Sequence, residues 1–326
     1  MWNDSSAGGA ALTVPPEVSV ILPFYEGSAW LARAVESVRS QQGVGWELLV
    51  VDDGSPESPE PILARFRDRR ILSRRISHAG KGAALNCGIR HARAPAVCFL
   101  DQDDIMLSGR LVRQLEALAQ EPGLDGVYSD YERRWDDGRP IDRFISRQVT
   151  PGEALRLTAA GCGPVTMQTL LLRKRCIEAL GGFSEAPELS GLDDLEFFVR
   201  LFLGGVRLRY VPGTVQVWVR HERNFSRSAA FHEARRHWLR RLEELAARHP
   251  GLRRERGAFA FHARLMRGIH GLEQRRPQEA VGEFLHAVRA RPLRWEGHYL
   301  LLKAVVLALG PARRRRKTPA ALPPVP

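Results

Sequence analysis

The apolar run Ala96-Val97-Cys98-Phe99-Leu100 contains no residue suited to face water, and it stops abruptly on Asp101-Gln102-Asp103-Asp104. A strand without polar alternation must be covered on both faces, which calls for a parallel sheet with crossover helices above and below it. Two earlier runs repeat the pattern: residues 18–22 end at Pro23, and residues 47–51 end at Asp52-Asp53-Gly54-Ser55. Leu31, Ala34, Val35 and Val38 fall at helical spacing and predict a helix over 30–41, with others over 59–66, 83–92 and 107–118. In such a fold, ligand-binding groups gather beyond the carboxyl ends of the strands, where both acidic clusters lie. Taken alone, either cluster is also what a turn or a helix cap looks like.

Farther along, strands are predicted over 126–130, 168–172, 207–211 and 215–219, with a helix over 195–203. From about 231 the pattern becomes wholly helical, with segments near 232–248, 257–275, 277–290 and 295–309. The predicted organisation is a disordered segment 1–16, a catalytic domain 17–230, a helical appendage 231–311 and a basic, Pro-rich tail 312–326. Gly268, Ala280, Phe284, Ala287 and Pro292 have the spacing of one tetratricopeptide-like helix pair. A single such repeat cannot bury its own face and must dock on something else. The run 300–309 is too short for a span, which needs about 20 apolar residues.

The net charge of +12 is unevenly placed: residues 1–230 carry 28 basic and 29 acidic side chains, residues 231–326 carry 21 and 8. The basic character therefore belongs to the carboxyl-terminal part, which ends in Arg313-Arg314-Arg315-Arg316-Lys317. That distribution fits an anionic membrane surface, a phosphorylated partner or a solvated tail. Cys87, Cys98, Cys162 and Cys176 show no CxxC spacing, so neither a zinc site nor a disulfide scaffold is expected. No basic segment followed by an apolar one marks a secretory signal, and a cytoplasmic location is expected.

Clustered hard oxygens at 101–104 suit Mg²⁺ or Mn²⁺ holding phosphates, which makes a nucleoside diphosphate the natural partner. Together, residues 18–26, Val50-Val51-Asp52-Asp53-Gly54-Ser55, Asp101-Gln102-Asp103-Asp104, Gly181-Gly182-Phe183 and Leu192-Asp193-Asp194-Leu195-Glu196 resemble, in order and spacing, the motifs of family 2 glycosyltransferases. The resemblance covers residues 17 to about 228. It implies a GT-A type α/β fold with a mostly parallel nucleotide-binding sheet and flanking helices, followed here by the all-helical appendage. It also implies an inverting transfer of sugar from a nucleotide-diphosphate donor.

Carried across by position, the resemblance gives Pro23, Tyr25, Glu26 and Asp53 to the nucleotide, with Tyr25 packing on the base and Asp53 accepting from a ring N–H. A carboxylate cannot donate, which favours a base that presents a donor, as in UDP or GDP sugars. Lys81 and Asp101 would reach the base or diphosphate. Asp103 and Asp104 would supply the contacts to Mn²⁺ or Mg²⁺ and to the donor's ribose, and His221 would complete the metal shell or donate to a phosphate. Asp193 and Asp194 would form the acidic pair, with Asp194 as general base; both could also serve the start of the helix that follows. Ser108 stands where the family usually has proline. The expected acceptor is a saccharide or a lipid-linked sugar in surface polysaccharide or glycolipid synthesis, reached from the inner membrane face. Two other readings are weighed. A sugar nucleotidyltransferase would need a Gly-rich, Arg-containing loop directly after the first strand, where Pro23-Phe24-Tyr25-Glu26 stands. A non-catalytic, basic nucleic-acid-binding protein does not explain the acidic clusters, so no nucleic-acid partner is expected.

Overall fold

In the computed structural model the described residues are 3–4, 15–159, 163–225, 228–249, 252 and 256–309. Most of the predicted 1–16 segment and all of the 312–326 tail lie outside them. Two compact units divide after Arg256.

The first unit opens with β1 (Asn3–Asp4), β2 (Val18–Phe24), α1 (Ser28–Arg39), β3 (Trp46–Asp52), α2 (Glu60–Leu63), β4 (Ile71–Arg75), α3 (Lys81–His91) and β5 (Ala96–Phe99). Strands β4, β3, β2 and β5 are adjacent and parallel. Side chains alternate across them: Val20, Leu22, Leu48 and Val50 join one apolar cluster with Val35, Val38 and Leu111, while Ile21, Leu49 and Phe99 join a second with Leu85, Ile89 and Phe197. Both faces are thus covered, as runs with no polar alternation require.

The chain continues through β6 (Ile105–Met106), α4 (Arg110–Ala119), β7 (Gly126–Trp135), β8 (Pro140–Phe144), α5 (Pro151–Ala159), β9 (Leu171–Arg173), α6 (Lys174–Ala179), α7 (Asp193–Leu203), β10 (Leu208–Arg220) and α8 (Ala229–Arg248). β9 lies antiparallel between β5 and β7, so β7 and its parallel neighbour β10 run in the same sense as β5. Their carboxyl ends consequently open on the same edge as those of β2, β3 and β5. The two strands predicted over 207–219 are one. Register shifts between Tyr210 and Gln216 absorb Pro212 and Gly213 as an irregularity, and pairing with β7 resumes beyond it. β4 and β8 were not predicted; β8 is exposed throughout and carries no burial signal.

The unit boundary lies beyond the predicted 230 because α8 packs on the first unit. Arg241 of α8 reaches buried Glu196 of α7 at 3.0 Å, and Trp238 and Leu242 are fully buried.

The second unit holds α9 (Arg256–Glu273), α10 (Pro277–Ala290) and α11 (Trp295–Leu309). At Gly268 a Cβ would stand 2.4 Å from the Phe284 ring, so only glycine allows α10 to seat that ring against α9. The helix pair does not lack a partner: α11 contributes Leu300 and Ala304 to a core with Phe261, Leu265, Ala280, Phe284 and Ala287. The opposite side of α11 presents Trp295, Tyr299, Leu302 and Val306, 63%, 51%, 65% and 62% exposed.

Candidate active site

The edge where β2, β3, β5 and β10 end collects the expected acidic residues. Asp52 and Asp53 terminate β3 and are buried, but they face different tasks. Asp52 accepts from Arg75 Nη1 at 2.6 Å and from the Ser55 N–H at 2.8 Å, which closes the Asp-Gly-Ser turn. Asp53 accepts from the backbone N–H groups of Ala79 and Gly80 at 2.8 and 2.9 Å, and its Oδ2 lies 2.9 Å from His78 Nδ1. Asp53 is therefore the clamp that fixes the loop leading into α3. Tyr25 projects beside it, 39% exposed and stacked on His78 at 4.5 Å. Pro23 is half-buried in β2 opposite Val51, and Glu26 takes a left-handed turn at φ 49° while its N–H donates to Ser55 Oγ.

Gln102 was not singled out from the sequence, yet it organises this loop. Its amide accepts from the Tyr25 N–H and donates to the Tyr25 carbonyl, both at 2.8 Å, tying the tip of β2 to the tip of β5. The only signal for it is its place inside the acidic motif.

Lys81, at the start of α3, pairs with Asp101 at 2.6 Å. Burial alone would push the Lys81 ammonium down, but the carboxylates of Asp101, Asp193 and Asp194 hold it above its usual range. Asp193 and Asp194 open α7, where the helix N-terminus leaves N–H groups unpaired. Asp194 Oδ1 accepts from the Leu195 N–H at 2.7 Å, and Asp193 Oδ1 from the Gly191 N–H at 3.1 Å. Burial, then the neighbouring Asp193 charge, pushes the Asp194 carboxyl up to about 6, while Lys81 opposes the rise. Asp193 is raised as well, chiefly by burial, and its Oδ2 is buried without a hydrogen-bond partner. Three separate segments thus bring Lys81, Asp101, Asp193 and Asp194 within mutual electrostatic reach.

Two features hold α7 in place. Asn86 of α3 donates to the Phe183 carbonyl and to Glu185, and accepts from the Phe183 N–H, so the Gly181-Gly182-Phe183 turn is bound to the helix that begins at Lys81. A Cβ on Gly82 would stand 2.1 Å from the Ser184 carbonyl oxygen, a contact that no other residue allows. Arg200 donates to the Leu180 and Gly182 carbonyls and pairs with Glu196 at 2.7 Å.

The residues expected to hold a metal are divided by the fold. Asp103 Oδ2 accepts from His221 Nε2 at 2.9 Å and from Asn224 Nδ2 at 3.1 Å. The His221 ring stacks on Trp30 at 4.0 Å, and its Nδ1 is buried without a partner. Asp104 turns the other way. Both of its oxygens are engaged, by the Val219 N–H at 3.0 Å and Gln216 Nε2 at 3.1 Å, and burial with the charges of Asp103 and Asp101 pushes its carboxyl well up. From Gln216 a fully buried polar chain continues through Arg110 and Gln114 to the Thr169 carbonyl. Asp104 thus anchors the acidic tip to β10, leaving Asp103 and His221 as the pair at the open edge. Among the described residues no group of three or more His, Cys, Asp or Glu side chains is arranged as a metal site. A two-residue foothold still suits Mg²⁺ or Mn²⁺, which commonly take one or two protein groups and fill the rest from substrate phosphates and water.

Residues 19–174 match the family model Glycosyl transferase family 2. That match ends before Asp193, so the assignment of the acidic pair stands on position and geometry. The chain is 33% identical over 152 residues to a protein of Bacillus subtilis named as a teichuronic acid biosynthesis glycosyltransferase, TuaG, covering 45% of this chain and 60% of that one. It is 29% identical over 157 residues to the UDP-Glc:alpha-D-GlcNAc-diphosphoundecaprenol beta-1,3-glucosyltransferase WfgD of Escherichia coli, covering 48% and 61%. The chain thus spans about three fifths of these relatives. Among solved structures, the mannosyltransferase PcManGT of Pyrobaculum calidifontis, in complex with GDP-Man and Mn²⁺, shares the fold at a TM-score of 0.56 and 21% identity, covering 91% of this chain and 82% of that one.

Proposed function

We propose, from the match of residues 19–174 to the glycosyl transferase family 2 model, that the chain is an inverting glycosyltransferase moving a sugar from a UDP- or GDP-sugar to an acceptor hydroxyl in surface polysaccharide or glycolipid synthesis. The observation that carries the reading is the meeting of Asp194, half-buried and with its carboxyl raised, with Lys81 and Asp101 at the edge where Tyr25 and Asp53 also end. An inverting transfer needs a base on the acceptor hydroxyl opposite the departing diphosphate, and a carboxyl that titrates near 6 is tuned for that work at neutral pH. Asp194 takes the proton from the acceptor oxygen as that oxygen bonds to the anomeric carbon. Asp193 and Lys81 set its charge state. Tyr25 and Asp53 hold the nucleotide. Asp103 and His221 would hold the divalent ion, which supplies charge neutralisation on the leaving nucleoside diphosphate.

Thermal unfolding tests the reading. A ligand that binds only the folded chain adds about 2.7 kcal/mol at 100 times its Kd, so UDP or GDP at saturation should raise Tm by several degrees. A flat response to UDP, GDP and their sugars, with Mn²⁺ present, would remove the basis for a donor site.

We place the enzyme peripherally at the inner face of a membrane, where a lipid-linked acceptor would lie. No helix among the described residues is long and apolar enough to cross a bilayer. The exposed row Trp295, Tyr299, Leu302 and Val306 instead offers an interfacial face, and Arg313 to Lys317 follow it in sequence. Interfacial apolar side chains plus roughly 1 kcal/mol per basic residue near an anionic leaflet give reversible binding. The full-length chain is expected to sediment with phosphatidylglycerol vesicles at low salt and to be released by high salt. Leu302→Glu should weaken the binding severalfold. A chain that stays in the supernatant with anionic vesicles at low salt would show that the face serves something else.

A further inference from the structure

The turn between β7 and β8 and the residues that end and follow β10 line a wide, open depression of about 480 Å³, within the ~300–1,000 Å³ range of small-molecule sites. Its lining includes Trp135, Asp136, Arg139, Arg220 and His221. Tyr25, Asp53 and the loop 78–80, where the nucleotide is placed above, are not part of that lining. His221 connects the two regions, since the same ring that borders the cavity is bonded to Asp103.

The cavity wall is built rather than incidental. Asp136 accepts from Trp30 Nε1 at 3.2 Å and from Arg33 at 2.8 Å, and its own N–H donates to the Arg220 carbonyl at 3.1 Å. Trp135 is held in a tight turn, its N–H on the Arg139 carbonyl and its carbonyl accepting from the Gly138 N–H, both at 2.8 Å. The indole nevertheless remains 40% exposed. Asp137 pairs with Arg139 at 2.7 Å, and the lining sets three carboxylates, Asp136, Asp137 and Glu222, against two guanidinium groups, Arg139 and Arg220, so no positive surplus draws an anion. A flat indole beside planar groups that both donate and accept matches a pyranose, with its apolar C–H face and its ring of hydroxyls.

Resting on the glycosyltransferase reading, we propose that this cavity is a second acceptor subsite, holding against Trp135 an uncharged saccharide unit next to the one whose hydroxyl reacts. Acceptors of two or more sugars would gain contacts there that a single sugar cannot make. The consequence is specificity for chain length, set at Trp135 rather than at the base.

The test uses the full chain and uncharged probes: methyl glycosides of glucose, galactose and N-acetylglucosamine, and the corresponding β-linked disaccharides. Saturation-transfer NMR reads binding, and nucleoside diphosphate release without acceptor reads the donor site. The disaccharides are expected to bind more tightly than the monosaccharides, and Trp135→Ala should weaken them about tenfold while leaving donor affinity unchanged. Arg139→Ala should act in the same direction. Equal disaccharide binding by wild type and Trp135→Ala overturns the proposal. So does binding of sugar phosphates alone, or of no uncharged saccharide in the panel. Absence of diphosphate release together with absence of nucleotide binding would instead count against the glycosyltransferase reading, which keeps the two failures apart.

Discussion

Replacing Asp194 by Asn should lower sugar transfer by about 10²–10⁴, the usual cost of removing a general base, while nucleotide affinity changes little. The amide keeps the side chain's shape but cannot take a proton, and the Leu195 N–H now bonded to Asp194 Oδ1 can still donate to the amide oxygen. The pH profile gives a second check. Burial and the Asp193 charge raise Asp194 to about 6, so its basic form is lost as pH falls through that value. Transfer by the native chain should therefore decline about tenfold per unit on the acid side of 6. The residual transfer of the variant should not follow that limb. A variant within threefold of wild type, an acid limb retained in the variant, or a native rate flat from pH 7 to 5 would assign the base elsewhere.

The second large effect concerns Asp103. Chelation should abolish transfer, and Mn²⁺ or Mg²⁺ should restore it. By calorimetry, nucleoside diphosphate affinity should be metal-dependent in wild type and should lose that dependence in Asp103→Ala, because the charge of the diphosphate is then no longer bridged to the strand end. Asp104→Asn is expected to behave differently. Gln216 and the Val219 N–H already engage its two oxygens inside the fold, so that change should register in thermal stability more than in metal dependence. Equal affinity with metal and with chelator would show that leaving-group charge is met by protein cations alone.

The contrast between these adjacent residues shows how far the sequence could be read. Strands β2, β3 and β5 were legible because burial on both faces leaves predominantly apolar runs, interrupted only by the mutually bonded Ser19 and Glu47, and their ends mark the site. The acidic pair at the start of α7 was legible by position. What each carboxylate touches was not, because it depends on which side of a short turn it leaves and on partners far along the chain. Asp103 meets His221 118 positions away, whereas Asp104 meets Gln216 112 positions away on the inner side. β4, in which only Ile71 and Leu72 precede Ser73, Arg74 and Arg75, and the exposed β8 gave no periodic signal. The strand β10 was read as two because Pro212-Gly213 ordinarily ends a strand, and only cross-strand pairing with β7 reveals that it continues.

The helix α8 sets a limit on how this fold can be cut or inherited. Composition turns helical near 231, where a gene fusion or shuffling event would be drawn by eye, yet Arg241 reaches back to the Glu196 that fixes Arg200, and Trp238 and Leu242 lie in the interior. A transferable module that carries the acidic pair must bring α8 with it. Lineages that exchange carboxyl-terminal extensions can do so without cutting the first unit only beyond residue 256, and the helices of the second unit have a core of their own.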